Sequence, residues 1–233
     1  MTKKYICIIP ARAGSRGIKN KNIQKIKNIP LIQHTINTAK KLSKYCDIIV
    51  STNSTKIKKI VEKNKLPFFG LRPEKLASAF VQTKDVVRYE LKKIEKKLNK
   101  KYFGILLLQP TCPIRDHRKI IKSFKIVEKK NFDSVVAIRN AETIHPYRMK
   151  VIRKGYLKNF MKFKKENMIP RQKLPKVYIR SGSIYIIERN VFLKRRSLVG
   201  YKAFGFELKG LETVDIDTLS NLQFLRSVLE KWD

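Results

Sequence analysis

The run Tyr5–Ile9 is apolar, β-branched and free of glycine and proline. It is too short for a helix, so it reads as a buried first strand. The run stops at Pro10 and passes into Ala11-Arg12-Ala13-Gly14-Ser15-Arg16-Gly17-Ile18-Lys19-Asn20-Lys21-Asn22. Gly14 and Gly17 allow close approach of a ligand and positive φ, and Arg12, Arg16, Lys19 and Lys21 surround them. A glycine-containing loop at the carboxyl end of a first strand is where α/β folds bind phosphates: backbone N–H groups supply directed donors, and Arg and Lys supply charge. The loop is not G-x-x-x-x-G-K-[ST], because Ile18 follows Gly17. Nor is it G-x-G-x-x-G, because Ser15 and Arg16 separate the glycines. A basic surface loop in a basic protein is the other reading.

Helical spacing follows over 30–42, then the strand Asp47–Ser51, a helix over 54–64 and a short strand at Pro67-Phe68-Phe69. This β-α-β-α-β order predicts a parallel sheet. A helix over 83–98 leads to the apolar run 102–108, which reads as the sheet's centre. A helix over 117–129 and a strand over 133–138 come next. From about Asn140 polar and basic residues dominate, with Pro146, Pro170 and Pro175. Residues 140–185 read as an arm inserted into a single domain spanning 1–233. Strand character returns over 178–187, interrupted at Ser181-Gly182-Ser183, and again over 201–206; an amphipathic helix over 219–232 closes the chain. No repeat and no structureless linker stands out.

At 233 residues with 42% hydrophobic and 31% charged residues, the composition suits one soluble domain. No apolar run approaches a membrane span, and the first apolar stretch is too short for a signal-peptide core. Cys7, Cys46 and Cys112 are odd in number and scattered, which supports neither a zinc site nor a disulfide framework and points to a reduced, cytoplasmic protein. The 54 Lys and Arg against 18 Asp and Glu give +36, which favours non-specific attraction to polyanions. The lysines spread over solvated helix faces instead of gathering, so no specific nucleic-acid partner is expected. A basic nucleic-acid-binding module stays as a reading of another class.

Asp215-Ile216-Asp217 is the most informative acidic pair. Residues two apart in an extended segment point to one side, so both carboxylates can face one hard cation such as Mg²⁺. In the alternative, Asp217 caps a helix beginning near Thr218.

Pro10-Ala11-Arg12-Ala13-Gly14-Ser15-Arg16-Gly17 with Lys21-Asn22 resembles the nucleotide-binding signature of the acylneuraminate (CMP-sialic acid and nonulosonate) cytidylyltransferases. Leu71-Arg72-Pro73, 106–115 (LLLQPTCPIR), 171–175 (RQKLP), 181–185 (SGSIY) and 213–218 (TVDIDT) resemble later family motifs in the family's order, so the resemblance covers almost the whole chain. It implies a Rossmann-like three-layer α/β fold with a mainly parallel sheet. It implies transfer of CMP from CTP to an acidic nine-carbon sugar, with Mg²⁺ (or Mn²⁺) and a homodimer whose arm reaches the partner's site. A relative acting on pseudaminic or legionaminic acid or a 3-deoxy-octulosonate is the alternative.

By the same resemblance, Ala11, Arg12, Ala13, Gly14, Ser15, Arg16, Lys21, Asn22, Arg72 and Thr83 are expected to bind the nucleotide. Lys21, Arg12 and Asp217 are expected to be catalytic, and Asp215 and Asp217 to be the metal ligands. Gln109, Arg171, Gln172, Arg180 and Tyr185 fall on the sugar side, with both Arg171 and Arg180 candidates for its carboxylate. The chain departs from the family in having Ala79-Phe80 where an Asp is common, and Ser181-Gly182-Ser183 where Asn-Gly-Ala is common. His145, before Pro146, reads as structural.

Overall fold

The computed structural model of the protein describes residues 5–14, 17–141, 144–161 and 168–230. Strand β1 (Tyr5–Pro10) is followed by the small pair β2 (Lys25–Ile26) and β3 (Ile29–Pro30), helix α1 (Leu31–Lys40), β4 (Cys46–Ser51) and α2 (Thr55–Lys63). Next come α3 (Thr83–Leu98), β5 (Gly104–Leu107), α4 (His117–Glu128) and β6 (Ser134–Asn140). The chain then forms the hairpin β7 (Lys150–Arg153) and β8 (Tyr156–Asn159), and ends with β9 (Tyr178–Glu188), α5 (Arg189–Arg195), β10 (Ala203–Glu207) and α6 (Leu219–Glu230).

The main sheet runs β10-β6-β9-β5-β1-β4. β1 pairs in parallel with β4 and β5, and β10 pairs in parallel with β6. β9 runs antiparallel between β5 and β6. β1, β4 and β5 are buried on both faces, as a sheet covered by helices requires, while the edge strand β10 is partly exposed. On one side α1, α2 and α4 contribute Ile36, Val61, Phe124 and their neighbours to the larger core. On the other, α3 and α5 contribute Val87, Leu91, Ile94 and Phe192. This is the three-layer α/β arrangement expected, with a mainly parallel sheet.

Three expectations change. Pro67-Phe68-Phe69 is not a strand; the segment connects to the sheet at Arg72 N–H, which donates to the carbonyl of Thr52 at 2.7 Å, just past the end of β4. Phe68 and Phe69 serve as packing instead, one against each core. Ser181-Gly182-Ser183 does not interrupt its strand: β9 runs on through it, and the irregularity appears as a register shift against β6 between Val136 and Ile138. The excursion from the main sheet covers 141–177, because Tyr178 already pairs with Asn140. The last helix is described to Glu230, and Trp232 lies outside the described residues.

Cys7, Cys46 and Cys112 are all free and buried. Burial pushes the Cys7 thiol up to about 12 and the Cys112 thiol up to about 11, far from a reactive thiolate.

Candidate active site

Because β1, β4 and β5 are parallel, their carboxyl ends meet at one edge of the sheet, where open α/β folds place ligands. A cleft of about 400 Å³ lies there, a size suited to a small ligand.

The loop after β1 is held by bonds to the end of β4 and the residues after it, and by one to its own later turn. Ala11 N–H donates to the Ser51 carbonyl at 2.8 Å, Ala13 N–H to Asn53 Oδ1 at 2.8 Å, and the Asn22 amide to the Arg12 carbonyl at 3.0 Å. Gly14 has φ +70°, as a tight turn there requires. Gly17 is needed for a different reason: a Cβ there would sit 2.6 Å from the Asp217 carbonyl oxygen. Ser15 and Arg16, both expected at the phosphates, lie outside the described residues.

A third apolar cluster fixes the loop against the acidic pair. Ile18 and Ile26 pack with Leu31, Ile216, Leu222 and Leu225. Ile216 is fully buried, and its N–H donates to the Thr111 carbonyl at 2.8 Å. Burying that one side chain contributes roughly 1.5–3 kcal/mol, so Ile216 anchors the two carboxylates that flank it. The backbone there is a tight turn, not an extended run, with Asp217 N–H on the Asp215 carbonyl at 3.1 Å. Both aspartates still line the cleft. Asp217 does not cap α6: Thr218 does, exchanging bonds with Asn221. Lys21 Nζ reaches Asp217 Oδ1 at 3.0 Å. Asp215 Oδ1 is buried with no hydrogen-bond partner.

Arg12, Arg72 and Thr83 line the same cleft, with Asn22 and Gln109. Arg72 is buried, and burial pushes its guanidinium down to about 10; Glu90 opposes that shift and Arg12 adds to it. Two cations that disfavour each other in one cleft suit a polyanionic ligand. Thr83 is the first residue of α3 and lines the cleft with Val86, so the positive end of that helix lies at the cleft.

Gln109 follows β5 and stands over Gly182, where an added Cβ would collide with its Oε1 and meet Asp215 Oδ2 at 3.4 Å. Tyr185 lies opposite Leu107 in the sheet; burial raises its hydroxyl, with Arg180 opposing. Arg180 is exposed opposite Ile138. Arg171 and Gln172 do not join the cleft. They lie in the short turn Arg171–Lys173 of the arm, and Arg171 lines a separate hollow with His145 and Arg148. His145 is structural: its Nδ1 accepts the Tyr147 N–H at 3.1 Å and its Nε2 faces the Pro175 carbonyl at 3.1 Å.

Sequence reasoning gave no role to Arg115 or Glu90. Arg115 Nε donates to the Ser183 carbonyl at 2.8 Å, Nη1 to Thr35 Oγ1 at 3.0 Å, and Nη2 to the Gln109 carbonyl, tying the Gln109 loop to β9 and α1. Burial pushes its guanidinium down to about 10. Its signal was a cation closing the proline-bounded loop 109–115. The signal for Glu90 was a lone acid on the apolar stripe of α3.

The cytidylyltransferase family model matches residues 6–231, so the chain belongs to the cytidylyltransferase family. It is a CTP-using nucleotidyltransferase. Post-translational flagellin modification protein B of Campylobacter coli is 28% identical over 98% of this chain and 96% of its own length. CMP-N,N'-diacetyllegionaminic acid synthase of Campylobacter jejuni is 29% identical over 92% of this chain and 90% of its own. N-acylneuraminate cytidylyltransferases are longer relatives: the chain spans about half of the Escherichia coli protein, 53%, at 25% identity. In fold, the chain is similar to CMP:2-keto-3-deoxy-manno-octonic acid synthetase complexed with CTP. The TM-score is 0.69 at 16% identity, over 99% of this chain and all of that one.

Proposed function

We propose that the chain is an N-acylneuraminate-type cytidylyltransferase that moves CMP from CTP to the anomeric hydroxyl of a sialic acid-like nonulosonate. The observation that carries this reading is the 3.0 Å contact of Lys21 with Asp217, groups 196 residues apart, inside a cleft that also holds Arg12 and Arg72. The sugar's anomeric oxygen attacks the α-phosphorus of CTP. The bond from that phosphorus to the oxygen bridging the β-phosphate breaks, pyrophosphate leaves, and the hydroxyl proton passes to solvent. Such transfers need charge neutralisation and positioning more than covalent help.

Lys21 supplies a compact charge at the α-phosphate, and Arg12 stabilises the phosphates beyond it. The Ala13 N–H, bonded to Asn53 Oδ1, holds the loop in shape, and Gly14 lets its backbone approach the triphosphate. Asn22 keeps the loop in shape while Arg72 and Thr83 hold the nucleoside. Gln109 orients the sugar, with Tyr185 and Arg180 on its side.

Asp215 and Asp217 would hold Mg²⁺ or Mn²⁺. The buried, partnerless Asp215 Oδ1 is the kind of oxygen a hard cation takes up. Among the described residues no group of three or more His, Cys, Asp or Glu gathers, which suits an ion that relies on phosphates and water for its other ligands. When bound, such an ion neutralises phosphate charge and lowers the pKa of the attacking hydroxyl.

The expected result is pyrophosphate release from CTP with N-acetylneuraminate in a panel that includes legionaminic acid, pseudaminic acid and a 3-deoxy-octulosonate. Turnover with legionaminic acid alone would move the substrate to the second reading, which the Campylobacter jejuni relative favours. No turnover with any of them would end the nonulosonate reading.

A homodimer completes the proposal. Ile152, Tyr156, Leu157 and Phe160 on or beside the β7–β8 hairpin are 62–75% exposed, and Met168 is 88% exposed. An exposed apolar group of that kind suits burial against a second copy. Arg171 and Gln172, apart from their own chain's cleft, would then reach the partner's sugar. Light scattering should give a dimer mass; a monomer at all concentrations would remove the arm from the mechanism. Buried free thiols and a nucleotide substrate suit the cytoplasm. No helix among the described residues is long and apolar enough to cross a membrane.

A further inference from the structure

Behind the nucleotide end of the cleft lies a carboxylate that the chemistry above does not use. Glu90 projects from the buried face of α3 and is 2% exposed. Its Oε1 accepts the hydroxyl proton of Ser51, the last residue of β4, at 2.7 Å. Its Oε2 lies 2.9 Å from Lys93 Nζ. The same Ser51 hydroxyl oxygen accepts Arg72 Nε–H at 2.9 Å, while the Ser51 carbonyl accepts from Arg72 Nη2. Arg72 Nη1 reaches the Leu76 carbonyl at 3.4 Å.

A serine hydroxyl has one proton to give. Committing it to Glu90 turns the oxygen's lone pairs towards Arg72. The chain of bonds therefore has a fixed direction, from guanidinium to hydroxyl to carboxylate. A buried carboxylate is costly unless charge and hydrogen bonds offset it. Lys93 supplies charge, yet a Lys93–Glu90 pair by itself would not require the Ser51 hydroxyl to sit between Glu90 and a cleft cation. Part of the Arg72 fork is taken up by Ser51 and Leu76, which leaves the rest to face the cleft.

We infer that Glu90 is a positioning residue for nucleotide binding: through the Ser51 hydroxyl it fixes the orientation of the Arg72 guanidinium in the cleft wall and supports its charge. This rests on the reading that Arg72 contacts the nucleotide. The electrostatics agree. Burial lowers the affinity of Arg72 for its proton, and Glu90 counters that lowering, while Arg12 adds to it. Without Glu90, the unfavourable effect of Arg12 on the Arg72 charge would lose its main counterweight.

The test is a cycle of Glu90→Gln, Ser51→Ala and Arg72→Ala with the double variant Glu90→Gln/Arg72→Ala, read as KM for CTP, KM for the sugar, and kcat. Gln retains an acceptor for Ser51 and removes the charge, and with it the pair with Lys93. Glu90→Gln should raise KM for CTP by about five- to tenfold and leave KM for the sugar unchanged. In the Arg72→Ala background the same change should matter by less than about twofold, because groups acting through one another are non-additive. Ser51→Ala should raise KM for CTP in the same direction, and it keeps the test open should Glu90→Gln fail to fold. If Arg72→Ala raises KM for CTP but neither Glu90→Gln nor Ser51→Ala does, the inference is overturned and the nucleotide reading stands. The inference also falls if the Glu90→Gln effect persists undiminished without Arg72. An unchanged KM for CTP in Arg72→Ala would instead overturn the placement of the nucleotide, and the inference with it.

Discussion

Lys21→Ala is expected to lower kcat by about a hundred- to a thousandfold, the usual consequence of removing one preorganised charge from a transition state that accumulates negative charge. Because the interaction matters most as the α-phosphate is attacked, kcat and kcat/KM should fall together. Folding should hardly change. The Lys21 side chain is 14% exposed, but its partner Asp217 is 71% exposed, and a pair open to solvent on one side contributes at most about 1 kcal/mol. The short turn that carries Lys21 is kept in place by its neighbours: Asn20 in the left-handed region, and Asn22 bonded to the Arg12 carbonyl. Steady-state pyrophosphate release, beside a thermal melt, checks both halves. Full turnover in a folded variant would remove Lys21 from the mechanism. Lys21→Arg keeps the charge on a different stem and should lose less.

The route from sequence to this site worked where the signal was local. The Tyr5–Ile9 run and the helix over 83–98 depend on composition and period alone, and they fold as read, the strand extending one residue further to Pro10. The acidic pair was found for a reason that was only partly the right one. Period two suggested that Asp215 and Asp217 share a side; in fact a tight turn and the burial of Ile216 bring both to the cleft.

What local reasoning missed depends on partners far away in the chain. Pro67-Phe68-Phe69 has strand-like composition, but nothing in those residues reveals that they pass by the edge strand β4 without pairing and pack Phe68 and Phe69 against the two cores instead. The antiparallel place of β9 between β5 and β6 is decided by pairing, not by its own residues. Two elements were legible and passed over. Lys154-Gly155, with φ +51° and +80°, joins β7 to β8 as a tight hairpin turn. The lone acid on the apolar stripe of α3 was the cue for Glu90, and it makes sense only once Ser51 and Arg72 are seen beside it. Arg171 and Gln172 were placed on the sugar side by resemblance alone, and within this chain they stand apart from the cleft.

Asp217→Asn should raise the Mg²⁺ concentration needed for half-maximal activity by at least about tenfold, since weakening the support of a metal site commonly costs ten- to a hundredfold in affinity. The amide keeps the size of the carboxylate at an exposed position, so the fold is expected to survive. Asp215 remains in place, its buried Oδ1 still lacking a partner, so saturating Mg²⁺ should restore much of the turnover. That rescue separates the two largest effects. Lys21 and Asp217 touch, and a loss of activity in either variant could be ascribed to breaking their contact. If contact were the whole story, both variants would respond alike to added Mg²⁺. If Lys21 acts on the phosphate and Asp217 on the cation, added Mg²⁺ recovers Asp217→Asn and leaves Lys21→Ala impaired. An Mg²⁺ titration unchanged from wild type in Asp217→Asn would strip that carboxylate of its metal role and leave it as a counter-ion for Lys21.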